Sequence, residues 1–169
     1  MNQTEFVQII QPFKDKMFRL AKRLLISAEE AEDATQEVLV KLWNKKEGIQ
    51  EIKSIEAMAM TITKNYCLDQ LKSKRASNLK IVHSNYKDSE SSVYQKTEDK
   101  DTWSWVENLI NDLPENQRLI IQMRDIEAYE FEEIAEILQL NEATIRVTLS
   151  RARKTIREKM TNTHNYGIK

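Results

Sequence analysis

The chain has 169 residues, 31% charged and 40% hydrophobic, with a formal net charge of −1, enough for one domain or two small ones and no polycation overall. Two glycines and two prolines leave few places for positive φ or tight turns, which argues against hairpin-rich sheets, a P-loop or a dinucleotide fingerprint and leaves an all-α protein. The single cysteine forbids an internal disulfide, and Cys67 with His83 and His164 is too small a set for a usual zinc site, so carboxylates alone could hold a metal and no cofactor is expected.

No apolar run approaches the roughly 18 to 20 residues of a membrane span, and MNQTEFVQII lacks a basic segment ahead of an apolar run, so a cytoplasmic protein is expected. Residues 4–26 place Phe6, Ile9, Ile10, Phe13, Met17, Leu20, Leu24 and Leu25 at helical spacing, with Pro12 predicted to divide the segment into two helices. Ser27 and Glu30 stand at the spacing of a capping box, opening a helix from about Ala28 to Lys46 that ends before Gly48. After Ser54, residues Ile55 to Arg75 carry apolar side chains on more than one side, the pattern of a helix packed between neighbours.

From Ser77 to Asp101 the chain turns polar, serine-rich and acidic without a period, the composition of a flexible linker. We set the linker at 80–101, between a small helical domain at 1–79 and another at 102–169. Past it, Trp103, Val106, Leu109 and Ile110 predict one helix, and Leu113-Pro114-Glu115 starts another through about Asp125, with the proline in the first turn. Phe131 to Leu138 and Glu142 to Met160 follow as two further helices, separated by Gln139, Leu140 and Asn141.

That last pair reads as a helix-turn-helix: Ile134, Ala135 and Leu138, a three-residue turn with Asn141 as N-cap, then Ile145, Leu149, Ala152 and Ile156. At 100° per residue Arg146, Arg153 and Arg157 fall within about 40° of one another on a separate face, with Arg151 and Lys154 beside them. A guanidinium row suits phosphate contact and guanine reading in the major groove; a merely solvated basic side is the alternative. A second basic set, Lys64, Asn65, Lys72, Lys74, Arg75 and Lys80, with Tyr66 and Trp43 nearby, combines cations, an amide and aromatic faces as single-strand recognition requires. Lysines that simply complement a helix C-terminus are its alternative. A third is the helix from Ala28, whose core stripe of Ala31, Ala34, Thr35, Val38 and Leu42 leaves Asp33, Gln36, Glu37 and Asn44 outside with Val40 and Trp43. Apolar groups among carboxylates on such a face suit docking to a partner with basic and apolar groups. No serine or cysteine nucleophile stands at an interpretable spacing from a histidine, so the chain is not read as an enzyme, a buried carboxylate pair being the one catalytic alternative.

AEDATQEVLVKLW at 31–43, TITKNYCLDQLKSKR at 61–75 and LPENQRLIIQMRDIEAYEFEEIAEILQLNEATIRVTLSRARKTIREKM at 113–160 resemble, in order, three segments of bacterial extracytoplasmic-function sigma factors of the sigma-70 family. These are the core-polymerase-binding helix, the promoter-melting helix and the region 4 helix-turn-helix. The resemblance implies region 2 at 1–79, region 4 at 102–169 and a non-enzymatic subunit that takes core RNA polymerase to promoters and assists their opening. Its implied partners are core RNA polymerase, promoter DNA as duplex and melted strand, and an anti-sigma factor. By position, Asp33, Gln36, Glu37, Val40 and Trp43 would meet polymerase, and Lys64, Asn65, Asp69, Lys72, Lys74 and Arg75 the −10 element. Thr144, Arg146, Thr148, Ser150, Arg151, Arg153, Lys154 and Arg157 would meet the −35 element. The chain departs from the family pattern at Met58, where a tryptophan is frequent, at Gln139, where a glycine is frequent, and at Val147 and Thr148, where a serine and an arginine are usual. The rival class is a helix-turn-helix regulator that binds duplex DNA unaided, which has no use for single-strand contacts around Asn65.

Overall fold

The computed structural model describes the backbone of residues 1–80 and 101–167, with side chains for 1–77 and 102–162. Apart from its two end residues, the expected linker at 80–101 lies outside the described residues. Seven α-helices are described: α1 (Gln3–Leu25), α2 (Ala28–Asn44), α3 (Ile55–Lys80), α4 (Asp101–Asn111), α5 (Glu115–Ile121), α6 (Phe131–Leu138) and α7 (Glu142–Gly167). A 3-10 turn at Ile49–Glu51 and a π-helical turn at Gln122–Ile126 complete them.

One expectation fails at the start. Pro12 does not divide the first segment, and α1 runs through it unbroken. Pro12 and Gln8, whose carbonyl loses its donor to the proline, both lie on the exposed side, where water can take up the freed acceptor. The buried side of the same helix, Phe6, Ile10, Phe13, Met17, Leu20, Ala21 and Leu24, packs on α2 and α3 both before and after the proline. Each such side chain contributes roughly 1.5 to 3 kcal/mol by its burial, enough together to outweigh one lost hydrogen bond.

The other starts follow local chemistry. Ser27 Oγ accepts from the Glu30 amide at 3.2 Å, but the box is only half formed, because the Glu30 carboxylate pairs with Lys74 of α3. Ser54 Oγ accepts from the Ala57 amide at 3.1 Å and opens α3. Gly48, at φ +86°, turns the chain beyond α2 in the left-handed region that glycine enters without steric cost. Pro114 sits one place earlier than expected, at the N-cap of α5 with extended backbone. Buried hydroxyls are satisfied locally: Thr35 donates to the Ala31 carbonyl and Thr63 to the Ala59 carbonyl, each at 2.7 Å.

Helices α1 to α3 bury Val38, Leu42, Ile49, Met60 and Cys67 between them, and α4 to α7 bury Ile120, Met123, Ile134, Ile137 and Ile145. The two groups dock through α1 on α5 and α3 on α6. Much of that seam is polar. Arg19 grips Glu127 through two hydrogen bonds of 2.7 Å, and buried Arg23 donates to Gln122 (2.8 Å), Asn111 (2.8 Å) and Glu107 (3.0 Å). Arg118 donates to the Arg23 carbonyl at 3.3 Å, and Arg75 pairs with Glu115.

Candidate polymerase and nucleic-acid interfaces

On α2 the burial matches the expected stripe: Ala31, Ala34, Thr35, Val38 and Leu42 face the core. Asp33, Gln36, Glu37 and Val40 are exposed, Val40 at 54% of its surface. Trp43 is half-buried, edge-on to Phe6 with ring centroids 5.1 Å apart and with the Lys46 ammonium 4.2 Å from its own centroid. A partner would therefore meet a carboxylate surface around a bare valine, with the indole at its margin.

Tyr66 of α3 joins this surface to the next. Lys41 of α2 lies over its ring at 4.9 Å, and its phenol is held above the ordinary range by burial and then by the negative charge of Glu37, with Asp33 adding to it. The acidic face of α2 and the middle of α3 are thus electrically one neighbourhood.

The basic set on α3 is divided by the fold. Asn65, Asp69 and Lys72 are exposed. Lys74 and Arg75 are exposed too, but each is ion-paired, with Glu30 and Glu115. Lys64 is half-buried: its ammonium donates to the Ile137 carbonyl of α6 at 3.1 Å, and burial lowers its pKa. In this arrangement one of its donors is committed to the other half of the molecule.

The helix-turn-helix forms where expected. Asn141 Oδ1 accepts from the Thr144 amide at 2.7 Å and caps α7, and Ile145, Leu149 and Ala152 are buried against α5 and α6. Gln139 adopts the left-handed conformation, φ 56° and ψ 44°, that glycine would take at this turn; its side-chain amide donates to the Glu136 carbonyl at 2.7 Å. A non-glycine residue there costs roughly 1 to 2 kcal/mol.

Arg146, Arg153 and Arg157 share one face, lining with Phe131, Leu149 and Ser150 a cavity of about 290 Å³. They are not equivalent. Arg153 is held by Asp125, which raises its pKa by hydrogen bonding. The Arg146 guanidinium lies over Phe131. The guanidiniums of Arg151 and Arg157 have no partner among the described residues. Thr144, Ser150 and Lys154 complete the predicted set, with Lys154 4.0 Å from Glu158; the Thr148 hydroxyl is spent on the Thr144 carbonyl at 2.8 Å. Among the described residues no group of three His, Cys, Asp or Glu side chains is placed to hold a metal ion.

A short acidic and apolar face, a basic helix end bearing an exposed amide and a capped helix-turn-helix now stand in the order of the two sigma-70 family regions. The profile of sigma-70 region 2 matches residues 9–77, and that of sigma-70 region 4 matches residues 104–156. The chain belongs to the sigma-70 family. It is similar to the ECF RNA polymerase sigma factor SigE of Mycolicibacterium smegmatis, 24% identical over 154 residues that make up 89% of this chain and 60% of SigE. It is likewise similar to the ECF RNA polymerase sigma factor SigW of Bacillus subtilis, 23% identical over 94% of this chain and 90% of SigW. The fold is that of the sigma factor RpoE solved in complex with the anti-sigma factor NepR from Bartonella quintana, with a TM-score of 0.73, 22% identity and coverage of 93% of this chain and 97% of that one. CnrH, solved in complex with the cytosolic domain of CnrY, shares it at a TM-score of 0.68, 18% identity and coverage of 95% and 90%. This sigma factor is a protein of transcription initiation.

The fold adds residues that the sequence did not single out. Arg23 stood inside the apolar stripe of α1, flanked by Leu20, Ala21 and Leu24, and a charge in such a stripe was a readable signal of a buried polar seam. Phe131 and Arg124 carried no local signal, because what joins them to Arg146 is packing between separate elements. No helix among the described residues is long and apolar enough to cross a membrane.

Proposed function

We propose that this sigma factor brings core RNA polymerase to its promoters through three surfaces. The α2 face of Asp33, Gln36, Glu37 and Val40, with Trp43 at its edge, docks on a basic and apolar surface of polymerase. The exposed amide of Asn65, with Asp69, Lys72, Lys74 and Arg75, takes the melted strand, and Lys64 joins them once it is released from Ile137. On α7, Arg146, Ser150, Arg151, Arg153, Lys154 and Arg157, with Thr144 and Thr148, meet the duplex upstream. The chain divides into a region 2 domain at 1–79 and a region 4 domain at 102–169, and it works in the cytoplasm by binding, without catalysis or cofactor.

The observation that carries this reading is that Asn65 is exposed next in sequence to Tyr66, whose ring lies under Lys41 of α2. A regulator that binds only duplex DNA gains nothing from such a surface, whereas a strand-capturing subunit of polymerase needs both parts adjacent. The polar seam supports the same reading, since hydrogen-bonded interfaces between domains separate at lower cost than apolar ones. Freeing Lys64 and reaching two promoter elements both call for that separation. RpoE and CnrH were each solved bound to a second protein, and an anti-sigma protein that holds the two halves together is the corresponding partner here.

The test is run-off transcription with purified core polymerase on a pool of genomic fragments from the source organism. Start sites that require this chain are expected. Tight duplex binding by the chain alone, with no initiation added to core polymerase, would favour the unaided regulator instead.

A further inference from the structure

Two guanidiniums share one aromatic ring on the outer face of the helix-turn-helix. The ring is Phe131, the first residue of α6, half-buried. Arg124, from the π-helical turn, has its guanidinium carbon 4.3 Å from the ring centroid, and Arg146, from α7, has its own at 4.0 Å. Arg124 is anchored separately, donating to the Tyr129 carbonyl at 2.9 Å and lying 3.7 Å from Glu130. The ring thus ties the early part of α7 to a turn whose position is already set by backbone contacts.

For Arg146 the consequence is orientational. Its other neighbour, Glu142, is 3.8 Å away, beyond hydrogen-bonding distance, and both side chains are more than half exposed, so that ion pair restrains it little. A free arginine side chain samples many rotamers, and most of that freedom must be lost before a two-pronged contact to a base can form. Stacking takes up the face of the guanidinium and leaves the N–H groups, which lie in its plane at the edge, free. Those edge donors are the ones that meet the two acceptors of guanine in the major groove.

We propose that Phe131 is a positioning residue for promoter reading: its ring holds the Arg146 guanidinium by the face so that the N–H edge is presented to one base pair of the upstream element. This rests on the reading that α7 enters the major groove. Phe131 touches no base; it sets how sharply Arg146 discriminates, and Arg124 keeps the ring in place.

The experiment uses the full chain bound to core polymerase and a pool of duplexes randomised across the upstream element, the bound fraction being sequenced to give a preference at each position. Arg146→Ala identifies the base pair that Arg146 reads. Phe131→Met, which keeps volume but has no π face, is expected to lower the preference at that one pair by roughly two- to fivefold, with other positions unchanged. Phe131→Tyr, which keeps the ring, should retain it. Should Phe131→Met melt early by circular dichroism, pentafluorophenylalanine incorporated at position 131 keeps ring and fold while reversing the ring's quadrupole, and should give the same loss. If Arg146→Ala relaxes one position and the ring variants leave it as sharp as in the parent, Phe131 does not position Arg146 and the proposal fails alone. If Arg146→Ala relaxes no position, the reading of α7 fails and takes the proposal with it.

Discussion

The Lys64 ammonium donates to the Ile137 carbonyl at 3.1 Å, joining the third helix of one half to the sixth of the other. Ile137 lies in the last turn of α6, where a carbonyl has no donor within its own helix and where the helix dipole favours a cation. A lysine of the predicted strand-binding set thus caps the C-terminus of α6, and under the proposed function a nucleic-acid strand has to displace that contact. Arg75, paired with Glu115, is in the same position.

Arg23 is the strongest polar tie across this seam. Arg23→Ala leaves buried Gln122 and part-buried Asn111 and Glu107 without this donor, a loss of roughly 1 to 3 kcal/mol to the docked arrangement. Small-angle scattering is expected to show a larger radius of gyration for the variant while circular dichroism keeps its helical signal. A radius equal to the parent's would mean that the remaining ties, Arg19 to Glu127 and Lys64 to Ile137 among them, hold the halves together without Arg23.

Reversing charge on α2 tests polymerase docking. Asp33→Arg with Glu37→Arg is expected to abolish co-purification with core polymerase, since attraction to a basic surface becomes repulsion worth several kcal/mol where the contact is desolvated. Both residues are exposed, so the melting temperature should stay close to the parent's. Wild-type recovery of the doubly reversed protein on core polymerase would move the docking surface elsewhere.

Two residues of α7 should separate reading from holding. Arg146→Ala should weaken upstream binding by about 1 to 3 kcal/mol and relax preference at one base pair. Lys154→Ala, exposed and 4.0 Å from Glu158, should weaken all duplexes alike and reduce the salt dependence by about one phosphate contact. Titrations at several salt concentrations against matched and mismatched duplexes distinguish the two behaviours.

Asn65 is expected to act only after melting. Asn65→Ala should leave duplex binding through α7 unchanged and lower open-complex formation, with much of the loss recovered on a pre-opened template, because unpairing a base costs a few kcal/mol that the protein must offset. Permanganate footprinting of thymines with polymerase present reads both templates. Parental opening on each by the variant would return the α3 cluster to a solvated helix end.

Burial pushes the Cys67 thiol up from its ordinary 9.0 to about 12. The folded state therefore keeps a proton that the unfolded chain releases first, so this contribution to stability is complete below pH 9 and is lost as pH rises from 9 to 12. Urea melts across that interval are expected to show a shallower alkaline fall for Cys67→Ala than for the parent. At pH 8 a water-soluble thiol reagent should label the parent only after unfolding.

What the sequence determined by itself was everything that depends on one or two turns of chain. The stripe of Ala31, Ala34, Val38 and Leu42, the caps at Ser27, Ser54 and Asn141, and the arginine face of α7 are set by helical periodicity and by side chains reaching three residues ahead, and each is legible without knowing what packs beside it. Gln139, where the family frequently has glycine, left a positive φ or a different turn open, and the backbone adopts the first at φ 56°. What only the tertiary structure decided was where long charged side chains end. Glu30 left its capping box for Lys74, Lys64 went to Ile137, Arg23 to three residues of the other half, and Arg146 to a ring it shares with Arg124. The same holds for Pro12, whose helix continues because the buried face on both sides of it is already packed. A lysine or arginine has several rotatable bonds and a reach longer than one helical turn, so its partner is chosen by whatever element the fold brings within range, and nothing in its immediate neighbours along the chain encodes that choice.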